Sequence, residues 1–241
     1  MTQEELKERY RGHLSLCEID TAGQQRIARA RVLVVGAGGL GSPVALYLGA
    51  AGVGNLGIVD ADTVGLSNLQ RQIMHTTADL GRPKADSARE AVEALNPAVK
   101  VTAYREFLTG ENAERIIGDY DIVVDCTDSR CSRRLVSSLC VSMGKPLVYG
   151  AVSRFSGMVF THLPGTCAYD DIFADGTAAD EAPSCAQTGI LNSAVGVIGS
   201  IQATEVLKII TRTGELLTDR LLFIDLLTMS FDILPLAHSS R

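Results

Sequence analysis

The sequence predicts an α/β fold: a Rossmann-like, doubly wound, mostly parallel sheet continued by antiparallel strands in the C-terminal part. Three observations predict it. The run Arg31-Val-Leu-Val-Val-Gly36 is short, continuous and apolar, the mark of a strand covered on both faces. It passes through glycines into helical spacing from Pro43 to Ala51, then into a second strand, Asn55 to Asp60. Strand and helix patterns keep alternating to about residue 150, the order of a parallel sheet with crossover helices.

The elements follow in sequence. Residues 1–30 carry two short helices, Gln3 to Tyr10 and Thr21 to Ala30. Pro83 opens a helix where its missing N–H does no harm, and Asn96-Pro97 closes it. Val99 to Arg105 alternates with period two, as a strand does. Helix Glu111 to Ile117, strand Tyr120 to Cys126 and helix Ser132 to Met143 complete the alternating part, residues 31–150. Residues 151–241 read differently. Pro146 to Val152 and Gly157 to Leu163 are strands joined by a short turn, so the sheet is expected to continue antiparallel. Pro164 to Ser184 is polar and aperiodic, longer than most connections, and reads as a functional loop or a disordered one. A long helix is expected from Cys185 or Ala186 to Thr211, then strands Arg220 to Asp225 and Met229 to Pro235. The whole, 1–241, reads as a single domain.

Composition narrows the function classes. With 46% apolar and 21% charged residues the chain can fill a core and keep an ordinary surface. A net charge of −6 argues against a broad nucleic-acid surface or an anionic-membrane surface. Arg130, Arg133 and Arg134 read as a solvated helix face. The first residues lack the apolar core of a signal peptide, and Ile190 to Ala203 reads as a buried helix because Asn192 and Gln202 interrupt it. Six cysteines with no CxxC spacing suit free thiols in a reducing cytoplasm. Cys126, Cys131 and Cys140 read as packing residues.

Gly36-Ala-Gly38-Gly39-Leu-Gly41 matches G-x-G-x-x-G between a strand and a helix. Glycine permits the tight turn and lets backbone approach a phosphate near a helix N-terminus. Asp60 ends the second strand, where a carboxylate can accept from ribose hydroxyls. This predicts a nucleotide without choosing between a nicotinamide cofactor and ATP. The following segment favours ATP. It reads Asp60-Ala-Asp62-Thr-Val-Gly-Leu-Ser67-Asn68-Leu-Gln70-Arg71-Gln72, then Gly81-Arg82-Pro83-Lys84, and later Asp125-Cys-Thr-Asp128. Asn68 and Arg71 share a face if Ser67 starts a helical turn. Two cations, an amide and a carboxylate suit a triphosphate with magnesium, held by Asp128, better than hydride transfer.

These segments, with Arg31 to Gly54, Lys145 to Ala151, Ser184 to Gly189 and Gly196 to Lys208, resemble the ThiF/MoeB/HesA sulfur-carrier adenylyltransferases, relatives of the ubiquitin-activating enzymes. The resemblance covers nearly the whole chain. It implies ATP-dependent adenylation of the C-terminal Gly-Gly carboxylate of a ubiquitin-like, β-grasp sulfur carrier, with release of pyrophosphate. By position, Gly39, Asp60, Asn68, Arg71, Lys84 and Asp128 are expected to contact the nucleotide or its metal, joined by Gly36, Gly38, Gly41 and Asp62 around the turn. Arg71, Lys84 and Asp128 are the expected catalytic residues. Cys185, in members where a cysteine stands there, can take part in linkage to the carrier. A homodimer and a sulfurtransferase acting afterwards are the further partners implied, and residues 151–241 would receive the carrier.

Two departures from the family pattern stand out. Many members hold zinc with two CxxC pairs. Here the first reads Cys167-Ala-Tyr-Asp170 and the end of the chain offers only His238, so zinc is not expected. The family's N-terminal R-Y-x-R-Q reads Arg9-Tyr10-Arg11-Gly12-His13, leaving Arg11 one position, or about 100° of helix, from the expected arginine. Two alternatives remain at this stage: a nicotinamide-dependent oxidoreductase, and a weakened protein that binds the carrier without adenylating it.

Overall fold

The computed structural model describes residues 2–173 and 189–237. Three helices open the chain: α1 (Gln3–Arg9), α2 (Arg11–Leu14) and α3 (Asp20–Arg29). The alternating part follows as β1 (Arg31–Val35), α4 (Gly41–Ala51), β2 (Asn55–Val59), α5 (Lys84–Leu95), β3 (Lys100–Tyr104), α6 (Ala113–Gly118), β4 (Ile122–Asp125) and α7 (Arg130–Ser142). The extension comprises β5 (Leu147–Ser153), β6 (Ser156–His162), α8 (Tyr169–Ile172), α9 (Asn192–Thr211), β7 (Arg220–Asp225) and β8 (Ser230–Pro235).

All eight strands join one sheet in the order β3-β2-β1-β4-β5-β6-β7-β8. β3 through β5 pair parallel, and β5 through β8 pair antiparallel. The expected fold class is therefore the one found. Side chains alternate along β1. Val32 and Val34 pack with Leu48, Ile198 and Val206 under α4 and α9, whereas Leu33 and Val35 pack with Ile116, Val136 and Cys140 under α6 and α7. Burial on both faces explains why that strand has no polar position between its ends. From β1 the chain runs outward to β2 and β3, then returns across to β4. The strand order thus reverses between β1 and β4, and doubly wound sheets open a ligand crevice at that point.

α9 is long and apolar enough to span a membrane by composition. It packs instead against α3, α4, β5 and β6, and is a core helix as the interruptions at Asn192 and Gln202 suggested.

Three expectations need correction. The last long helix begins at Asn192, not at Cys185 or Ala186. Gly189 sits at φ 73°, and Ile190 forms a parallel bridge with Arg154, so this segment is extended backbone bonded to the β5–β6 turn. The segment from Pro164 is not uniformly aperiodic, because α8 forms within it. Tyr169 and Phe173 there pack on Tyr149, which stacks on Phe160 at 4.8 Å. Cys131 is exposed, unlike Cys126 and Cys140, and is not a packing residue.

Candidate active site

The glycine turn is fixed by the ends of three strands. Gly36, at φ 101°, donates its N–H to Val59 O at 2.8 Å, and a Cβ there would meet Cys126 O at 2.8 Å. Gly41 lies so close beneath it that a Cβ would stand 2.0 Å from Gly36 O. Only a glycine pair lets the chain reverse here without pushing β1 and β4 apart. Gly41 is thus a packing residue and does not line the cavity above it, contrary to its expected place among the nucleotide contacts.

That cavity, of about 320 Å³, opens at the carboxyl edge of β1, β2 and β4. Gly36, Gly38, Gly39, Asp60, Asp62, Arg71, Lys84 and Asp128 all line it. Side chains from distant parts of the sequence therefore converge on the crevice at the strand-order reversal.

Asp60 accepts from Ala37 N and from Asp62 N, both at 2.8 Å. A carboxylate retains further lone pairs after two such bonds, enough for ribose hydroxyls. Burial pushes its pKa up, and the nearby Lys84 ammonium opposes that rise. Lys84 is the first residue of α5, and its Nζ meets Asp62 Oδ2 at 2.9 Å. Arg71 lies against Gly39 and donates to Ser67 O at 3.2 Å. Both cations are therefore held beside the glycine turn.

Asn68 is the exception among the expected polar contacts. Its Oδ1 accepts from Gly65 N at 3.0 Å, capping its own short 3-10 turn (Leu66–Asn68), and it does not line the cavity. Sharing a turn with Arg71 was insufficient to bring its side chain in.

On the opposite wall, Asp128 is exposed at the mouth. The loop carrying it is clamped. Asp125 Oδ1 accepts from Thr127 N at 2.9 Å and Thr127 Oγ1 at 2.7 Å, while Arg133 donates to Thr127 O through Nε and Nη2. Arg133 also lies 5.6 Å over the Tyr149 ring and lines the cavity, so the reading of this arginine as part of a solvated face is corrected. Asp125 is wholly buried and its Oδ2 has no hydrogen-bond partner among the described residues; burial pushes its pKa up.

Cys185 lies outside the described residues. Cys167 is buried, with its N–H on Asp219 Oδ1 at 2.8 Å, and burial pushes the thiol up to about 11. Asp170 is paired with Arg134, and His238 lies outside the described residues. Gln72, Phe107 and His75 went unassigned in the sequence. Gln72 and Phe107 line the cavity, while His75 lies behind the glycine turn. The glutamine stood at the end of an already prominent motif, but nothing local marked the other two.

The sequence matches the ThiF family over residues 10–241. It is 44% identical to a sulfur carrier protein adenylyltransferase of Thermus thermophilus, across 100% of this chain and 90% of that protein. It is 42% identical to the SAMP-activating enzyme E1 of Haloferax volcanii, covering 95% of this chain and 84% of that one. Similarity at 43% identity extends to the probable adenylyltransferase/sulfurtransferase MoeZ of Mycobacterium tuberculosis, where 92% of this chain spans 58% of the longer protein. Among solved structures, PaaA superposes with a TM-score of 0.81 at 24% identity, over 98% of this chain and 75% of that one. E. coli MccB with ATP superposes at 0.79 with 19% identity, over 90% of this chain and 66% of that one; both likenesses concern the fold.

Proposed function

This chain belongs to the ThiF family, and from that premise we propose that it is an adenylyltransferase acting on a sulfur-carrier protein. In this reading it uses ATP to adenylate the C-terminal Gly-Gly carboxylate of a ubiquitin-like carrier. The observation that carries the reading is the convergence of Arg71, Lys84 and Asp128 on one cavity above the glycine turn. A nicotinamide enzyme has no task for those three groups. The 44% identity to a sulfur carrier protein adenylyltransferase supports the substrate class.

The chemistry follows from charge. One oxygen of the carrier carboxylate attacks the α-phosphorus, the bond from that phosphorus to the bridging oxygen breaks, and pyrophosphate leaves with the electron pair. The nucleophile is ionised at neutral pH, so no general base is needed. What the protein supplies is screening of two approaching anions and stabilisation of the departing one. Lys84 and Arg71 are placed for both, and Asp60 holds the ribose end. The glycine turn offers backbone N–H groups at the start of α4.

Among the described residues no group of three or more His, Cys, Asp or Glu side chains could hold a metal alone. A single exposed Asp128 beside a triphosphate fits magnesium, which takes one or two carboxylates and completes its shell with phosphate oxygens and water. Bound there, the ion would neutralise charge on the leaving pyrophosphate. We propose no zinc.

A cytoplasmic setting, a homodimer and a later sulfurtransferase complete the proposal. An acyl-adenylate carries the activated carbonyl that a sulfur nucleophile requires. Cys185 is the proposed residue for any covalent linkage. Arg11, exposed and paired with Glu8 at 3.2 Å, is the cation available near the family's N-terminal arginine position.

Intact-mass analysis tests the reading directly. After incubation with ATP, magnesium and carriers ending in Gly-Gly, one carrier should gain the mass of AMP. Absence of an adduct on every carrier, with tight NAD binding instead, would overturn it.

A further inference from the structure

Resting on the nucleotide reading above, we propose that His75 is a positioning residue that locks the glycine turn to the helix bearing Lys84. His75 is only 4% exposed and bridges two elements. Its Nε2 lies 2.9 Å from Ala37 O in the glycine turn, and its Nδ1 lies 2.8 Å from Ser87 Oγ on α5. A carbonyl oxygen can only accept, so Nε2 carries the proton; a neutral ring then receives the Ser87 hydroxyl proton at Nδ1. Burial, with Lys84 nearby, pushes the imidazole below its ordinary pKa and favours that neutral form.

The bridge acts on the two phosphate-directed parts of the cavity at once. Ser87 stands three residues after Lys84, on the same side of α5. Ala37 is held through the two peptide units that flank its Cα, its N–H by Asp60 and its C=O by His75. In a planar trans peptide the carbonyl and the next N–H point in opposite directions. Holding Ala37 O on His75 therefore turns the Gly38 N–H to the other side, where Gly38 lines the cavity. His75 thus sets the spacing between a backbone donor and the Lys84 ammonium without touching the nucleotide.

The test compares the full-length wild type with His75→Phe, His75→Gln and Ser87→Ala. ATP affinity is measured by calorimetry with magnesium, alongside the melting temperature and the KM for a Gly-Gly carrier. Phenylalanine fills the space without a donor, whereas the glutamine amide can restore one. The proposal predicts about tenfold weaker ATP binding in His75→Phe, substantial recovery in His75→Gln and an unchanged carrier KM. It is overturned if His75→Phe binds ATP within about twofold of wild type, or if glutamine restores nothing. Should His75→Phe fail to fold, Ser87→Ala decides: about threefold weaker ATP binding supports the bridge and wild-type binding overturns it. A wild type that binds no ATP sinks the functional reading itself, and the His75 role with it.

Discussion

Lys84, whose side chain is 8% exposed, has its ammonium 2.9 Å from the carboxylate of Asp62, whose side chain is 58% exposed. The pair is lopsided: a nearly buried cation is neutralised by a partner that water can reach. Such a lysine can turn from Asp62 to a triphosphate when one enters, while Asp62 is resolvated at little cost. Lys84→Met should lower carrier-dependent exchange of pyrophosphate with ATP by about a hundredfold to a thousandfold. A calorimetric melt checks that the fold survives, and activity near wild type would remove Lys84 from the mechanism.

The two central glycines should fail in different ways. Gly41→Ala places a Cβ 2.0 Å from a backbone oxygen that has no room to move, and should cost about 3 kcal/mol of stability or more. Among the described residues Gly38→Ala meets only the Gln72 amide, at 3.6 Å, so the protein should fold normally while the added methyl crowds the cavity. ATP affinity is expected to fall by about tenfold, the equivalent of one charge-assisted hydrogen bond. Denaturant melts and nucleotide titrations of both variants separate the packing glycine from the binding one.

Asp125 gives a pH signature. Burial raises its folded-state pKa above the ordinary value of 3.8, with Arg133 opposing. A raised acid is easiest to accommodate below its unfolded value, and its ionisation costs stability as pH rises through the folded value. Asp125→Asn keeps the Oδ1 acceptor for Thr127 and removes the charge. Its melting temperature should exceed that of wild type at pH 8, and the gap should shrink as pH falls towards 4. A gap that widens on acidification would contradict the assignment.

Much of this architecture could be read from local signals. The apolar run of β1, the glycine turn and Asp60 lie close together in sequence, and each follows from backbone sterics or burial on two faces. Other features depend on contacts between distant segments. The start of α9 is decided by the pairing of Ile190 with Arg154, which no helical periodicity reports. Arg133 looked like one of several surface cations until Thr127 and Tyr149 gave it partners. His75 offered no metal spacing, and its meaning comes from a carbonyl at Ala37 and a hydroxyl at Ser87. Asn68 shows the reverse: a motif residue whose side chain satisfies its own turn.

The central claim is that one cavity unites the triphosphate with the carrier's carboxylate through Arg71, Lys84 and Asp128. Isotope exchange between pyrophosphate and ATP, with and without a carrier ending in Gly-Gly, tests it most directly in wild type, Arg71→Ala and Asp128→Ala. Exchange that requires the carrier and disappears in both variants is the predicted result. Full exchange in both variants would contradict the account.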